Sequence, residues 1–286
     1  MLISVITTTY NRPDALRTVL RGLSRQIDRN FEVVIGDDGS GDATASVIER
    51  CRSEMALTIR HVWQEQRGFR AAEIRNRAIL ASRGKYCVFL DGDCIPRPAF
   101  IGAHRRLAEP GWFVSGTRVL LSKSATARII DRDLSPELWR PLAWFVARAR
   151  GDVNRLNALL TLPLGRLRKA SAHKWLGAKT CNLGVWRSDL DLVDGFDASF
   201  VGWGLEDSDM VVRLHAASVR RKDGRHSIAV LHLWHEPGDR SQLRDNQLRF
   251  DASLAGNPHP ISGLSSLALV PSDVLGCATA SGRGPI

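Results

Sequence analysis

The stretch Tyr86-Cys87-Val88-Phe89-Leu90, running into Asp91-Gly92-Asp93-Cys94, constrains this chain more than any other. Five mostly apolar residues have the composition of a fully buried strand, and that strand ends in two carboxylates separated by one glycine. In an open α/β sheet, ligands bind outside the carboxyl ends of the strands. Two hard oxygen ligands there suit a divalent cation carrying a diphosphate. The glycine lets the backbone turn tightly enough for both carboxylates to converge. The competing reading is an Asp-Gly turn that merely caps a strand.

The preceding residues repeat the pattern. Leu2 to Thr8 reads as a buried strand closed by Thr9-Tyr10-Asn11-Arg12-Pro13, before the helical spacing of Leu16, Val19, Leu20 and Leu23. Phe31 to Gly36 is a second strand and runs into Asp37-Asp38-Gly39-Ser40, with a helical pattern from Ala43 to Cys51. Leu57 to Val62 is a short third strand, Gly68 to Ala81 a helix, and Trp112 to Leu121 a further strand. Strands alternating with helices of this length predict βαβ units and a mostly parallel sheet in an α/β fold. The chain carries neither the G-x-G-x-x-G dinucleotide fingerprint nor an ATP-type phosphate loop.

Taken in order, Ile6-Thr7-Thr8-Thr9-Tyr10-Asn11-Arg12, Val33 to Ser40, Gly68 to Asn76 and Leu90-Asp91-Gly92-Asp93 resemble the motifs of family 2 glycosyltransferases of GT-A fold. The resemblance implies that Thr8, Tyr10, Arg12 and Asp38 hold the nucleoside. It places Asp91 toward the ribose, Asp93 on the cation and Arg75 near the diphosphate. A carboxylate can accept the ring N–H of uracil, and a cation beside Asp93 would neutralise charge on a leaving nucleotide. For Asp38 the alternative is an Asx turn, and for Arg75 a solvated helix face.

A second resemblance lies in Phe200-Val201-Gly202-Trp203-Gly204-Leu205-Glu206-Asp207-Ser208-Asp209. It is similar to the motif of β-1,4-galactosyltransferases and of the related carboxyl-terminal segment of many bacterial family 2 enzymes. Carried over, Asp207 is the general base, Glu206 binds sugar hydroxyls, and Trp203, beside Gly204, stacks on a sugar face. The alternative for the acids is simple capping of the helix that follows. In Ile228 to His235 two histidines stand three apart, which on a strand points them to opposite faces, so that at most one ligates a metal unless the strand has ended. The galactosyltransferase-like pattern favours His235 over His232 as the metal ligand, with Mn²⁺ or Mg²⁺ as the cation.

Charge and cysteines complete the reading. Six of the 40 basic side chains are lysine, leaving 34 arginines, and the net charge is +10, which favours anionic partners. Between residues 137 and 175 eight Arg or Lys face Glu137 and Asp152, a net of +6, among leucines and tryptophans. A basic helical pair there lies on an anionic membrane, packs as an insertion on the main domain, or forms a flexible lid on the acceptor side. Five cysteines with no C-x-x-C pair argue for a reducing compartment. There is no secretory signal and no run long enough to span a membrane, so the expected location is cytoplasmic, with peripheral contact to the inner leaflet.

The expected organisation is a nucleotide-sugar-binding half at residues 1–121, a basic helical insertion at 122–179, an acceptor and catalytic half at 180–251 with a last helix from Ser241 to Phe250, and a flexible tail at 252–286. The expected function is inverting transfer from a UDP-sugar to a glycan or glycolipid hydroxyl in bacterial cell-surface polysaccharide synthesis. Inversion is implied by the families resembled. A sugar nucleotidyltransferase and a basic nucleic-acid-binding protein are the rivals. The first would leave Trp203 and Asp207 without a role; the second has no recognition motif, and nucleic acid is not an expected partner.

Overall fold

The computed structural model describes residues 1–256 and 259–268. Strands β1 (Ile3–Thr9), β2 (Phe31–Asp37), β3 (Ile59–Trp63) and β4 (Tyr86–Asp91) pair in parallel in the order β3-β2-β1-β4. Helices α1 (Pro13–Ser24), α2 (Asp42–Glu54) and α3 (Ala71–Ala81) make the crossovers. The strands are continuous apolar runs because helices cover both faces. Val5, Val33 and Val88 pack on one side with Leu16, Leu20 and Leu23 of α1. Ile6, Val34 and Phe89 pack on the other with Ile74 and Ala78 of α3. This alternation of neighbours follows from the two-residue period of a strand.

After β4 the chain makes β5 (Cys94–Pro96) and α4 (Phe100–Leu107). The expected strand at 112–121 is two strands: β6 (Trp112–Ser115) and β7 (Thr117–Leu120), broken at Gly116. A Cβ at Gly116 would meet the Asn182 amide group at 2.2 Å, and Gly116 N–H donates to the Asn182 carbonyl at 2.9 Å. Asn182 therefore turns the chain from one sheet to another. Strand β6 stays in the large sheet, between β8 (Leu183–Trp186) and the edge strand β9 (Arg220–Asp223), while β7 joins β5 and β10 (Ala229–His232) in a three-stranded sheet. The charged residues of β9 suit an edge, where they discourage pairing with another chain.

The middle stretch has one α-helix between residues 137 and 175, where a basic helical pair is expected. It holds α5 (Lys123–Asp131), capped by the Ser122 hydroxyl, and α6 (Pro141–Ala149); from 157 to 169 only short 3₁₀ turns follow. Arg168 is buried there and donates to the carbonyls of Asp223, Arg225 and Leu162. Its charge serves the fold and not the surface.

The second half continues through α7 (Arg187–Leu192), α8 (Glu206–Ala216) and α9 (Leu243–Leu254). The last expected helix thus starts two residues later and runs four further, across the boundary set at 252. Within the expected tail, α10 (Leu264–Ala268) packs Leu264 and Leu267 into the core, and the Ser265 backbone and hydroxyl donate to Asp194. Residues 259–268 belong to the domain. Cys277 lies outside the described residues.

Candidate active site

Strand order reverses between β1 and β4, so the carboxyl ends of β1, β2 and β4 open a crevice at a topological switch point. The loops after β1 and β2 hold each other. Asn11 N–H donates to the Ser40 hydroxyl at 2.8 Å, Gly41 N–H donates to the Asn11 side chain at 3.1 Å, and Trp63 Nε1 donates to the Ser40 carbonyl at 3.1 Å. Asn11 adopts φ 46°, a left-handed conformation that asparagine tolerates. On this rim Tyr10 is exposed, and Thr8 and Arg12 are half-buried. Asp38 is buried at the floor and accepts from Arg70 N–H at 2.8 Å and Gln64 Nε2 at 2.6 Å. Burial pushes its carboxyl up, and those two donors offset part of the rise.

Gly92 is required by close approach. Its N–H donates to the Thr8 carbonyl at 2.8 Å, and a Cβ there would sit 2.6 Å from the same oxygen. This fixes Asp91 and Asp93 beside the end of β1. In the small sheet β10 pairs antiparallel with β5, setting His232 opposite Cys94, and Leu233 N–H donates to the Asp93 carbonyl at 2.9 Å.

The strand ends at His232, the condition under which both histidines can face one side: both converge on Asp93. His232 Nε2 lies 3.6 Å from Asp93 Oδ1, His235 Nε2 lies 3.5 Å from Asp93 Oδ2, and the rings are 5.2 Å apart. A carbonyl can only accept, so the 2.7 Å contact between His235 Nδ1 and the Glu236 carbonyl puts the ring proton on Nδ1. A neutral ring would then turn an Nε2 lone pair toward a carboxylate oxygen, an arrangement that a cation between them satisfies. Burial pushes the His232 imidazole down, which favours its neutral, ligating form. Asp93 and His232, with Cys94, bring three ligand atoms within 4.8 Å of one another, close enough to hold a cation, and His235 stands against the other Asp93 oxygen. Cys94, buried beside Asp93, has its thiol held well above the usual value by burial. It stays protonated at neutral pH.

Across the crevice, Gly202, Gly204 and Leu205 all take positive φ, 77°, 106° and 78°, to start α8 with Glu206 and Asp207 in its first turn. The side-chain amide of Asn246, fully buried in α9, donates to the Val201 and Gly204 carbonyls at 3.1 Å each, and Gly202 N–H donates to Phe69 at 2.8 Å. The loop is therefore pinned from both sides. A leucine held at positive φ stores strain of a kind that persists where the surroundings enforce it, often at functional sites. Trp203 is exposed, with the Arg240 guanidinium 4.7 Å from its ring centre. Asp207 lies 3.4 Å from Lys179 Nζ and accepts from the Ser208 hydroxyl at 3.2 Å.

Arg75 joins the two sides. It is 5% exposed, donates from Nη1 to Glu206 Oε1 at 3.0 Å and from Nη2 to Asp91 Oδ1 at 3.4 Å, and lies over the Phe196 ring at 5.5 Å. Burial works against its charge, yet Glu206 and Asp91 outweigh that and hold the guanidinium ionised. Glu206 is pushed up by burial and by neighbouring Asp207, with Arg75 offsetting part of the rise. The nitrogens expected near a diphosphate are thus committed to two carboxylates. Arg118 of β7 stands as an alternative cation: its Nη1 is 3.7 Å from Cys181 Sγ, and Asp91 acts on its charge. Sequence reasoning missed Arg118 and Lys179, since neither belongs to a motif, and only the Asn182 turn brings β7 to the site.

This frame is that of the GT-A glycosyltransferases. The mannosyltransferase PcManGT from Pyrobaculum calidifontis, solved in complex with GDP-Man and Mn²⁺, matches with a TM-score of 0.60 at 18% identity, covering 93% of this chain and 68% of its own. S. aureus TarS 1-349, solved in complex with UDP-GlcNAc, matches at 0.57 and 15% identity, covering 90% of this chain and 67% of its own. At these identities the likeness is one of fold.

The model of glycosyl transferase family 2 matches residues 4–145, and that of the N-terminal domain of galactosyltransferase matches residues 170–235. The chain belongs to glycosyltransferase family 2, with a galactosyltransferase-like carboxyl-terminal segment. Validoxylamine A glucosyltransferase of Streptomyces hygroscopicus subsp. jinggangensis is 31% identical over 243 residues, 79% of this chain and 54% of the relative. A second such glucosyltransferase, from subsp. limoneus, is also 31% identical, with 50% of its length covered. The chain thus spans about half the length of these curated relatives.

Proposed function

We propose that the chain transfers a sugar, with inversion, from a UDP-sugar to a hydroxyl of a glycan or glycolipid acceptor, in bacterial cell-surface polysaccharide synthesis on the cytoplasmic side of the membrane. The observation that carries this reading is the Arg75 bridge, which ties the donor-side Asp91 to Glu206, the neighbour of Asp207, across one crevice. Mn²⁺ or Mg²⁺ on Asp93, His232 and His235 would neutralise the charge developing on the departing diphosphate. The neighbour solved with GDP-Man and Mn²⁺ supports that use of the site.

The chain's own residues do the rest. The rim at Thr8, Tyr10 and Arg12 and the floor at Asp38 receive the nucleoside, and Asp91 the ribose. Trp203 and Gly204 receive a sugar face, and Glu206 its hydroxyls. Asp207 takes the acceptor proton as that oxygen bonds to the anomeric carbon and the bond from that carbon to the diphosphate breaks. Arg118 supplies positive charge on the leaving-group side. Attack at phosphorus, as in a nucleotidyltransferase, would leave the Trp203 loop idle.

The test is UDP release from a panel of UDP-sugars with Mn²⁺, with and without EDTA. Slow hydrolysis of one donor that EDTA abolishes is expected. Absence of turnover and of metal-dependent UDP binding would contradict the reading.

A further inference from the structure

Helix α6 carries a second apolar face that no described residue covers. Trp144 and Ala147 point inward and are buried. Leu142, Phe145, Val146 and Ala149 follow the i, i+3, i+4, i+7 spacing of the opposite stripe, and all four are exposed, Leu142 at 75% and Phe145 at 65%. Leu138, in the turn before the helix, is exposed as well. Single exposed leucines are ordinary on a soluble protein, whereas a contiguous stripe marks a site of interaction.

The charge around the stripe selects the partner. Arg140, Arg148 and Arg150 bracket it and are exposed. From Leu138 to Ala178 the sole acidic side chain is Asp152, which is buried and paired with Arg128. A second copy docking through this face about a two-fold axis would set these arginines against themselves with no acid to meet them. An anionic lipid surface satisfies both the apolar stripe and its basic rim.

The geometry points to α6 as an anchor lying in the interface of an anionic membrane, with Leu142, Phe145 and Val146 inserted and Arg140, Arg148 and Arg150 at the headgroups. The anchor is attached close to the active site. Ser122 N–H donates to the Asp152 carbonyl and Asn154 N–H to the Leu120 carbonyl, and Leu120 pairs with His232. The carboxyl end of α6 is thereby held beside the strand that delivers a metal-site histidine. This inference deepens the proposed function and rests on it for its purpose, a membrane-borne acceptor; lipid binding and donor turnover are nonetheless separate readouts.

The test is co-sedimentation of the full chain with vesicles of phosphatidylcholine alone and of phosphatidylcholine mixed with phosphatidylglycerol. The wild type is expected to pellet with the mixed vesicles and not with the neutral ones. The double variant Leu142→Glu/Phe145→Glu is expected to pellet about tenfold less, with UDP release from a soluble donor unchanged. A wild type that stays in the supernatant with mixed vesicles, or a double variant that pellets equally well, overturns the anchor. So does a wild-type dimer that ignores vesicles and that the double variant dissolves. Vesicle binding by a wild type that turns over no UDP-sugar would uphold the anchor and count against the proposed function alone.

Discussion

Arg75 donates to Glu206 at 3.0 Å across 131 positions of sequence, so one buried guanidinium joins the helix of the donor half to the first turn of the acceptor half. Removing it leaves Glu206, its side chain only 12% exposed, beside Asp207 with its compensating charge gone. Arg75→Met is expected to cost about 3 kcal/mol or more in urea unfolding. Adding Glu206→Gln should restore a large part of that loss, because an uncharged amide needs no cation. Equal losses in the single and double variants would refute the coupling.

Gly92 illustrates a position set by space. Gly92→Ala drives a methyl into the Thr8 carbonyl, and the backbone carrying Asp91 and Asp93 must move. A stability loss of roughly 1–3 kcal/mol is expected, together with a larger relative loss of Mn²⁺-dependent UDP binding. Calorimetric titration with UDP would show it, and unchanged affinity would contradict the assigned role.

The two histidines should behave alike. His232→Ala and His235→Ala are each expected to raise the Mn²⁺ concentration needed for half-maximal UDP binding by about tenfold or more. A His232→Ala variant with a wild-type metal response would return His235 to the position of sole histidine ligand.

His104 gives a pH signature away from the site. It is fully buried against Phe100 and Asn182, and burial pushes its imidazole down to about 4. In the unfolded chain it titrates near 6.5. The folded value is depressed, so the stability it confers is complete above that unfolded value and is lost as pH falls toward 4. Between pH 7 and pH 5 the wild type should lose about 2 kcal/mol more than His104→Gln, measured by urea midpoints. Parallel losses in the two proteins would show that His104 is not kept neutral.

The parallel half was legible because β1, β2 and β4 are buried on both faces and so read as unbroken apolar runs ending in turn residues. The acid motifs were legible for the same local reason. What the sequence hid depends on contacts distant in the chain. The break at Gly116 is imposed by Asn182, and with it the arrival of Arg118 at the crevice. A two-residue period separated His232 from His235, but the strand stops at His232 and lets both turn to Asp93. Glycine- and serine-rich composition read as a tail, yet Asp194 and the core hold residues 259–268 in place.

UDP binding and UDP-sugar hydrolysis, measured side by side in the wild type, Asp93→Ala and Asp207→Asn, test the central claim most directly. If one crevice divides its labour as argued, Asp93→Ala loses Mn²⁺-dependent UDP binding by about tenfold or more. Asp207→Asn should then bind UDP within about twofold of the wild type while its turnover falls about 100-fold. Loss of UDP binding in Asp207→Asn as large as in Asp93→Ala, or turnover that survives in either variant, would contradict that division.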